Sequence, residues 1–109
     1  MSEPTVQDPQ AILADTAGDL DPSVRARALH WLIRTSAEPA GGQWGPRACY
    51  DPSAWVQRGC VNALEIRASS DSASIDLLGE FTALNQADPY VRATAAIALA
   101  RMGDREIRT

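Results

Sequence analysis

The side chains able to do chemistry near neutral pH are few and scattered. His30 is the only histidine, and imidazole is the group best suited to act as a base at that pH. It stands beside Trp31 on a helical pattern, which fits a surface or partly packed ring better than a base. Cys49 and Cys60 are the only cysteines, and they have neither CxxC spacing nor a histidine cluster, so no zinc site is expected. Cys49 is the better candidate for a reactive thiol, because Arg47 could lower its pKa, yet no base adjoins it in sequence. Asp15 and Asp19 lie one helical turn apart on an expected solvated face, where carboxylates serve solubility more often than proton transfer. Gly41-Gly42 lacks the lysine and helix start that make a glycine loop cradle phosphate, and no GxxxxGK[ST], GxGxxG or HExxH run occurs. The expectation is a chain without enzymatic activity, cofactor or metal.

What must hold these residues is one small domain. A chain of 109 residues buries roughly two thirds of its unfolded surface, enough for a modest core. Ten basic residues, all arginine, against fourteen acidic ones give a net charge of −4. That sign opposes the counterion release behind nucleic-acid affinity, so nucleic acid is not expected as a partner. The absence of lysine reads as compositional bias, although the arginine fork suits carboxylates and phosphates. No apolar run approaches the ~20 residues of a membrane span, and Met1 leads into Ser-Glu-Pro-Thr rather than a basic and then apolar leader. A cytoplasmic protein with no membrane partner and no disulfide framework is expected.

Three segments repeat. Asp21-Pro-Ser-Val24 leads to Ala28 and Leu32, Asp51-Pro-Ser with Val56 leads to Cys60 and Leu64, and Asp88-Pro-Tyr-Val91 leads to Ala95 and Leu99. A valine, a small residue four later and a leucine eight later mark one face of a helix. Cys60 thereby takes the small buried position, where a cysteine behaves as a compact hydrophobe. An Asp N-cap followed by proline accounts for each start, the carboxylate accepting from free amides of the first turn. The middle segment inserts Ala54-Trp55 before its valine. Asp8-Pro9 opens a further helix in the same way, with Ile12, Leu13 and Leu20 for its buried side and Gly18 near its end. Asp71 to Leu84 predicts another, carrying Ile75, Leu77, Leu78 and Phe81 at helical spacing. The glycines and prolines of Pro39 to Tyr50 oppose a long helix and predict a loop or single turn.

The Asp-Pro-x-Val-Arg-x-x-Ala pattern resembles the second helix of HEAT-like repeats, including those of phycobilisome-lyase-type proteins. The resemblance implies an all-α fold: a short right-handed α-solenoid of about three helical hairpins, with repeats at 8–34, 35–68 and 71–103, the middle one degenerate, and a tail at 104–109. It also implies an inter-repeat ladder, Asp21 with Arg25 and Asp88 with Arg92, which includes Asp51 and is departed from at the middle repeat where Gln57 replaces arginine. Arrays of this kind need covered ends. The last helix is rich in alanine on more than one side, through Ala93, Ala95, Ala96, Ala98 and Ala100, and Gly103 to Ile107 resembles the start of a further repeat. Either the end is simply worn down by short residues, or a partner or a second copy stacks against it, so that self-association through this C-terminal helix is one expectation among these.

The middle segment gathers Trp44, Tyr50 and Trp55 beside Arg47 and Arg58. Tryptophan, tyrosine and arginine dominate binding hot spots, and the same rings would also fill a gap left by a missing helix. The reading is a non-catalytic protein–protein interaction module, an adaptor or regulatory scaffold with these five residues as partner contacts. The alternatives are small-molecule binding, since phycobilisome-lyase-type repeats are associated with bilins, and nucleic-acid binding as in HEAT-like alkyl-purine glycosylases.

Overall fold

Three of the four Asp-Pro pairs begin helices as the capping chemistry requires. The computed structural model describes residues 8–83 and 88–107. Asp8 accepts from the Gln10 N–H at 3.1 Å and opens α1, Pro9–Thr16. Asp21 accepts from the Ser23 N–H at 2.9 Å and opens α2, Pro22–Thr35. Asp88 accepts from Tyr90 N–H at 2.9 Å and opens α6, Pro89–Ile107. Each such cap satisfies one of the orphan amides of a helix start.

The fourth pair behaves differently. α4, Ala54–Arg67, starts two residues beyond Pro52, with Ser53 at its N-cap and no side-chain cap bond. The insertion moves the start away from Asp51, whose carboxylate instead holds the Ser53 N–H at 2.9 Å and the Arg25 guanidinium. Between α2 and α4 lie a 3₁₀ turn, Pro39–Gly41, and a short helix α3, Trp44–Cys49. α5 spans Ser72–Ala83, with Asp71 accepting from Ala73 N–H and the Ser74 hydroxyl at its start. α6 continues through Gly103 to Ile107, so the expected tail from 104 is helical as far as 107. Leu84 lies outside the described residues.

Among the described residues the structure is all-helical, six α-helices and one 3₁₀ turn without a strand. α1 packs on α2, α2 runs along α4, and α4 touches α5 and α6, which pair together. α2 and α6 share no contact. The core is one cluster running through these layers, with Leu29, Ile33, Val56, Leu64, Leu78, Phe81 and Val91 fully buried. Burying a side chain such as Phe81 is worth about 1.5–3 kcal/mol.

α1 is only eight residues long, and it places its apolar residues unevenly. Leu13 packs against the core, Ile12 is 45% exposed and Leu20 is 95% exposed. Leu20 sits in the turn after the helix, where its carbonyl and that of Asp19 accept from Arg25 Nη1 at 3.1 and 3.0 Å. The backbone of that turn is thus used and its side chain is not.

Candidate interaction surface

The glycines of the middle segment allow close backbone approach. Gly41 has φ +78°, and a Cβ there would lie 2.9 Å from Ile33 Cα. A Cβ on Gly45 would collide with the Ala40 carbonyl oxygen and meet Leu77 Cδ2 at 2.9 Å. α3 therefore docks flush against the 3₁₀ turn and α5, a use of glycine unrelated to phosphate.

With α3 so placed, the five predicted contact residues fall into separate groups. Trp44 is half-buried and packs against the core. The Arg47 guanidinium lies 5.4 Å from its ring centroid and also donates to the Ala17 carbonyl at 3.4 Å. Tyr50, at the end of α3, is 57% exposed. Trp55 opens α4 and is 63% exposed, with Arg58 one turn on at 5.8 Å from its centroid. Arg58 also lies 5.2 Å from the ring of Tyr90, itself 64% exposed in the first turn of α6. Among the described residues no ring contact joins Trp44 to Trp55. One guanidinium between two exposed rings spans α4 and α6, each contact worth about 0.5–1 kcal/mol at the surface.

Tyr90 was legible only by aligning the repeats: it precedes Val91 as Trp55 precedes Val56. A second exposed pair is Arg34, at 4.5 Å from the Trp31 centroid. Trp31 is 41% exposed.

Of the expected ladder residues, Arg25 pairs with Asp51 instead of Asp21, and Arg92 bonds a carbonyl instead of Asp88. Arg25 donates from Nε and Nη2 to the two oxygens of Asp51, both at 3.0 Å, and this bond raises the arginine pKa. Asp21 holds Ser23 through its hydroxyl and N–H, which keeps its carboxyl below the ordinary value. Gln57, 5% exposed, replaces the ion pair by an amide bridge: Nε2 donates to the Asp51 carbonyl at 2.8 Å, and Oε1 accepts from the Asp88 N–H at 3.1 Å. Arg92 donates from Nε and Nη2 to the Thr82 carbonyl at 3.2 and 2.9 Å.

Arg67 is a structural hub outside that pattern. It donates to the carbonyls of Ile33, Ser36 and Glu38 at 3.0, 2.7 and 2.7 Å, and to Asp71 Oδ2 from Nε at 3.1 Å and Nη2 at 2.9 Å. It thereby closes the C-terminal end of α2, whose last carbonyls have no intrahelical partner. Burial alone would raise the Asp71 carboxyl, but bonds from the Ala40 N–H, Arg67 and Ser74 outweigh it and hold the pKa below the ordinary 3.8.

The candidate chemical groups take packing roles. His30 bonds the Gly59 carbonyl through Nδ1 at 3.0 Å, so that nitrogen carries the proton, and its ring meets Trp31 edge-on at 5.7 Å. Cys49 and Cys60 are both buried free thiols, and Arg47 turns to Trp44 and Ala17 instead of Cys49. Cys60 donates to the Gly45 carbonyl at 3.5 Å, and the adjoining Cys49 thiol together with burial pushes its pKa well up. That is the environment of an inert thiol. A groove of about 660 Å³ between α4, α5 and α6 is lined by Asn62, Glu65, Ile66, Ser69, Ile75 and Met102 among others. Among the described residues no helix is long and apolar enough to cross a membrane.

No family model matches the chain, and comparison with curated proteins and with solved structures gave no match either.

Proposed function

We propose that this chain is a non-catalytic protein–protein interaction module, built as a short right-handed solenoid of HEAT-like hairpins. The pairs would be α1–α2, the 3₁₀ turn and α3 with α4, and α5–α6. Support for this arrangement comes from the contact order, in which α2 meets α4 and α4 meets α6 while α2 and α6 stay apart. The bonds from Arg25 and Gln57 to Asp51 and Asp88, each just before the second helix of the following hairpin, support it as well.

One observation carries the functional reading: Trp55, Arg58 and Tyr90 form a stacked, solvent-exposed edge with Tyr50 exposed on the preceding helix. Large rings fixed in place lose little freedom on binding, and arginine between them offers donors in a set plane. The protein would act as an adaptor, displaying this edge to a partner without turnover. Trp44 and Arg47 belong to its support, because Trp44 packs on the core and Arg47 spans Trp44 and the end of α1.

The test is affinity capture with the whole chain as bait, comparing wild type, Trp55→Ala/Tyr90→Ala and Trp44→Ala after circular dichroism has shown all three to be helical. A partner retained by wild type and lost by the double variant supports the edge. Equal capture by wild type and a folded double variant would contradict it.

A further inference from the structure

We propose that copies of this chain stack head to tail, the outer face of α6 in one copy covering the α1–α2 groove of the next and repeating the packing of α2 on α4. The proposal goes beyond partner binding at the aromatic edge and uses another surface.

The register follows from the anchoring valines Val24, Val56 and Val91. α2 turns Ala26, Leu29, His30 and Ile33 towards the next layer: the Ala26 carbonyl and the His30 side chain adjoin Gly59, and the Ile33 carbonyl holds Arg67. The same positions on α4 are Arg58, Val61, Asn62 and Glu65. Two of them meet α6, Arg58 lying on Tyr90 and Glu65 accepting from Arg101 at 3.4 Å. On α6 these positions are Ala93, Ala96, Ile97 and Ala100, and all four are exposed, Ile97 at 51%. The face is covered on α2, partly covered on α4, where Val61 is buried and Arg58 and Asn62 are exposed, and open on α6.

The receiving face shows the same relation in reverse. α4 meets α2 through Gly59, with Val56 and Ala63 one turn to either side and both fully buried. Their counterparts on α2 are Arg27, Val24 and Trp31. With Ala28, Leu13 and Thr16 these line an open groove of about 390 Å³. Short side chains on α6 would face long ones on α2, the size relation that lets two helices approach closely.

Charge fixes which end meets which. Arg25 reaches Asp51, which stands between α3 and α4 in the next layer, through both carboxylate oxygens. Arg92 holds the corresponding place on α6 and is bonded only to the Thr82 carbonyl, with no carboxylate partner among the described residues. Asp21 is the residue that Asp51 repeats. Its Oδ1 accepts from Ser23 N–H as the Oδ1 of Asp51 accepts from Ser53 N–H, and among the described residues no arginine is bonded to its Oδ2, where Oδ2 of Asp51 takes Arg25 Nε. From Asp8 to Asp21 the chain carries four acidic residues, Asp8, Asp15, Asp19 and Asp21, and no basic one. Arg92 of one copy therefore complements Asp21 of the next, and a contact of two different surfaces repeats without closing.

The experiment is sedimentation velocity on the full chain over a concentration series up to about 1 mM, a range that detects weak association. Two surface variants accompany it, Ala96→Glu on the α6 face and Trp31→Glu in the groove, each checked for helicity. Wild type should rise in mass past a dimer, and each variant alone should stay a monomer. An equimolar mixture of the two retains one intact α6 face and one intact groove, so it should reach a dimer and no further. Arg92→Gln should weaken wild-type association about two- to fivefold, as loss of a partly exposed ion pair does. Wild type monomeric throughout would overturn the proposal. So would a closed wild-type dimer with variants that fail to pair in the mixture, which would assign the face to a symmetric contact.

Discussion

Replacing Arg67 separates the effect of a charge from that of a fork. Its guanidinium makes five hydrogen bonds, three to carbonyls at the end of α2 and the loop after it and two to Asp71 at the start of α5. Both side chains are largely covered, at 16% and 12% exposure. Arg67→Ala would leave these carbonyls and a carboxylate without their donors, a loss of about 3 kcal/mol for charge-assisted bonds in a partly buried site. At roughly 4 °C per kcal/mol for a domain of this size, the melting temperature should fall by about 12 °C. Arg67→Lys keeps the charge beside Asp71 but cannot reach several carbonyls in one plane, so it should recover no more than about 1 kcal/mol of that loss. Thermal and urea unfolding followed by circular dichroism give both numbers. If Arg67→Lys unfolds within about 0.5 kcal/mol of wild type, the planar geometry is not what holds the end of α2, and the reasoning fails.

Other expectations follow from the same contacts. Gly45→Ala drives a methyl into the Ala40 carbonyl and Leu77, and should cost about 2 kcal/mol or more by urea titration, in line with overpacking in a core. The Asp71 pKa is held below 3.8 in the folded chain, so its stabilisation is present above that pH and lost as pH falls through the lower folded value. The urea midpoint of wild type should drop more steeply below about pH 4 than that of Asp71→Asn, and equal slopes would assign the acid response elsewhere. Cys49 and Cys60, buried and facing the core, should resist a thiol reagent in the native state and react together once urea unfolds the chain; rapid native labelling of either would contradict their placement.

How far the fold was legible depends on how local its causes are. Asp8, Asp21 and Asp88 cap helices with a carboxylate two residues from the amide they hold, and such chemistry is written in adjacent letters. At Asp51 the same letters mislead, because Arg25 from another helix takes the carboxylate and the Ala54-Trp55 insertion shifts the start. Leu20 reads as a buried residue by type, yet it stands in a turn whose useful atoms are carbonyls. Arg67 and Asp71 are four apart and visible as a pair, but the carbonyls at Ile33, Ser36 and Glu38 reach Arg67 only through the fold. The aromatic residues of the middle segment were legible as a group, while their division was not. Trp44 joins the core because α3 docks on glycine contacts, and Trp55 stays outside to meet Arg58 and Tyr90.

The most direct test of the account titrates the partner recovered by affinity capture into the purified chain by calorimetry, with wild type and Trp55→Ala compared side by side. Binding should be saturable and of fixed stoichiometry with no chemical change in the partner, and Trp55→Ala should raise the Kd about thirtyfold or more, the scale of a hot-spot residue. An unchanged Kd with a folded Trp55→Ala, or a partner converted to product during the titration, would contradict it.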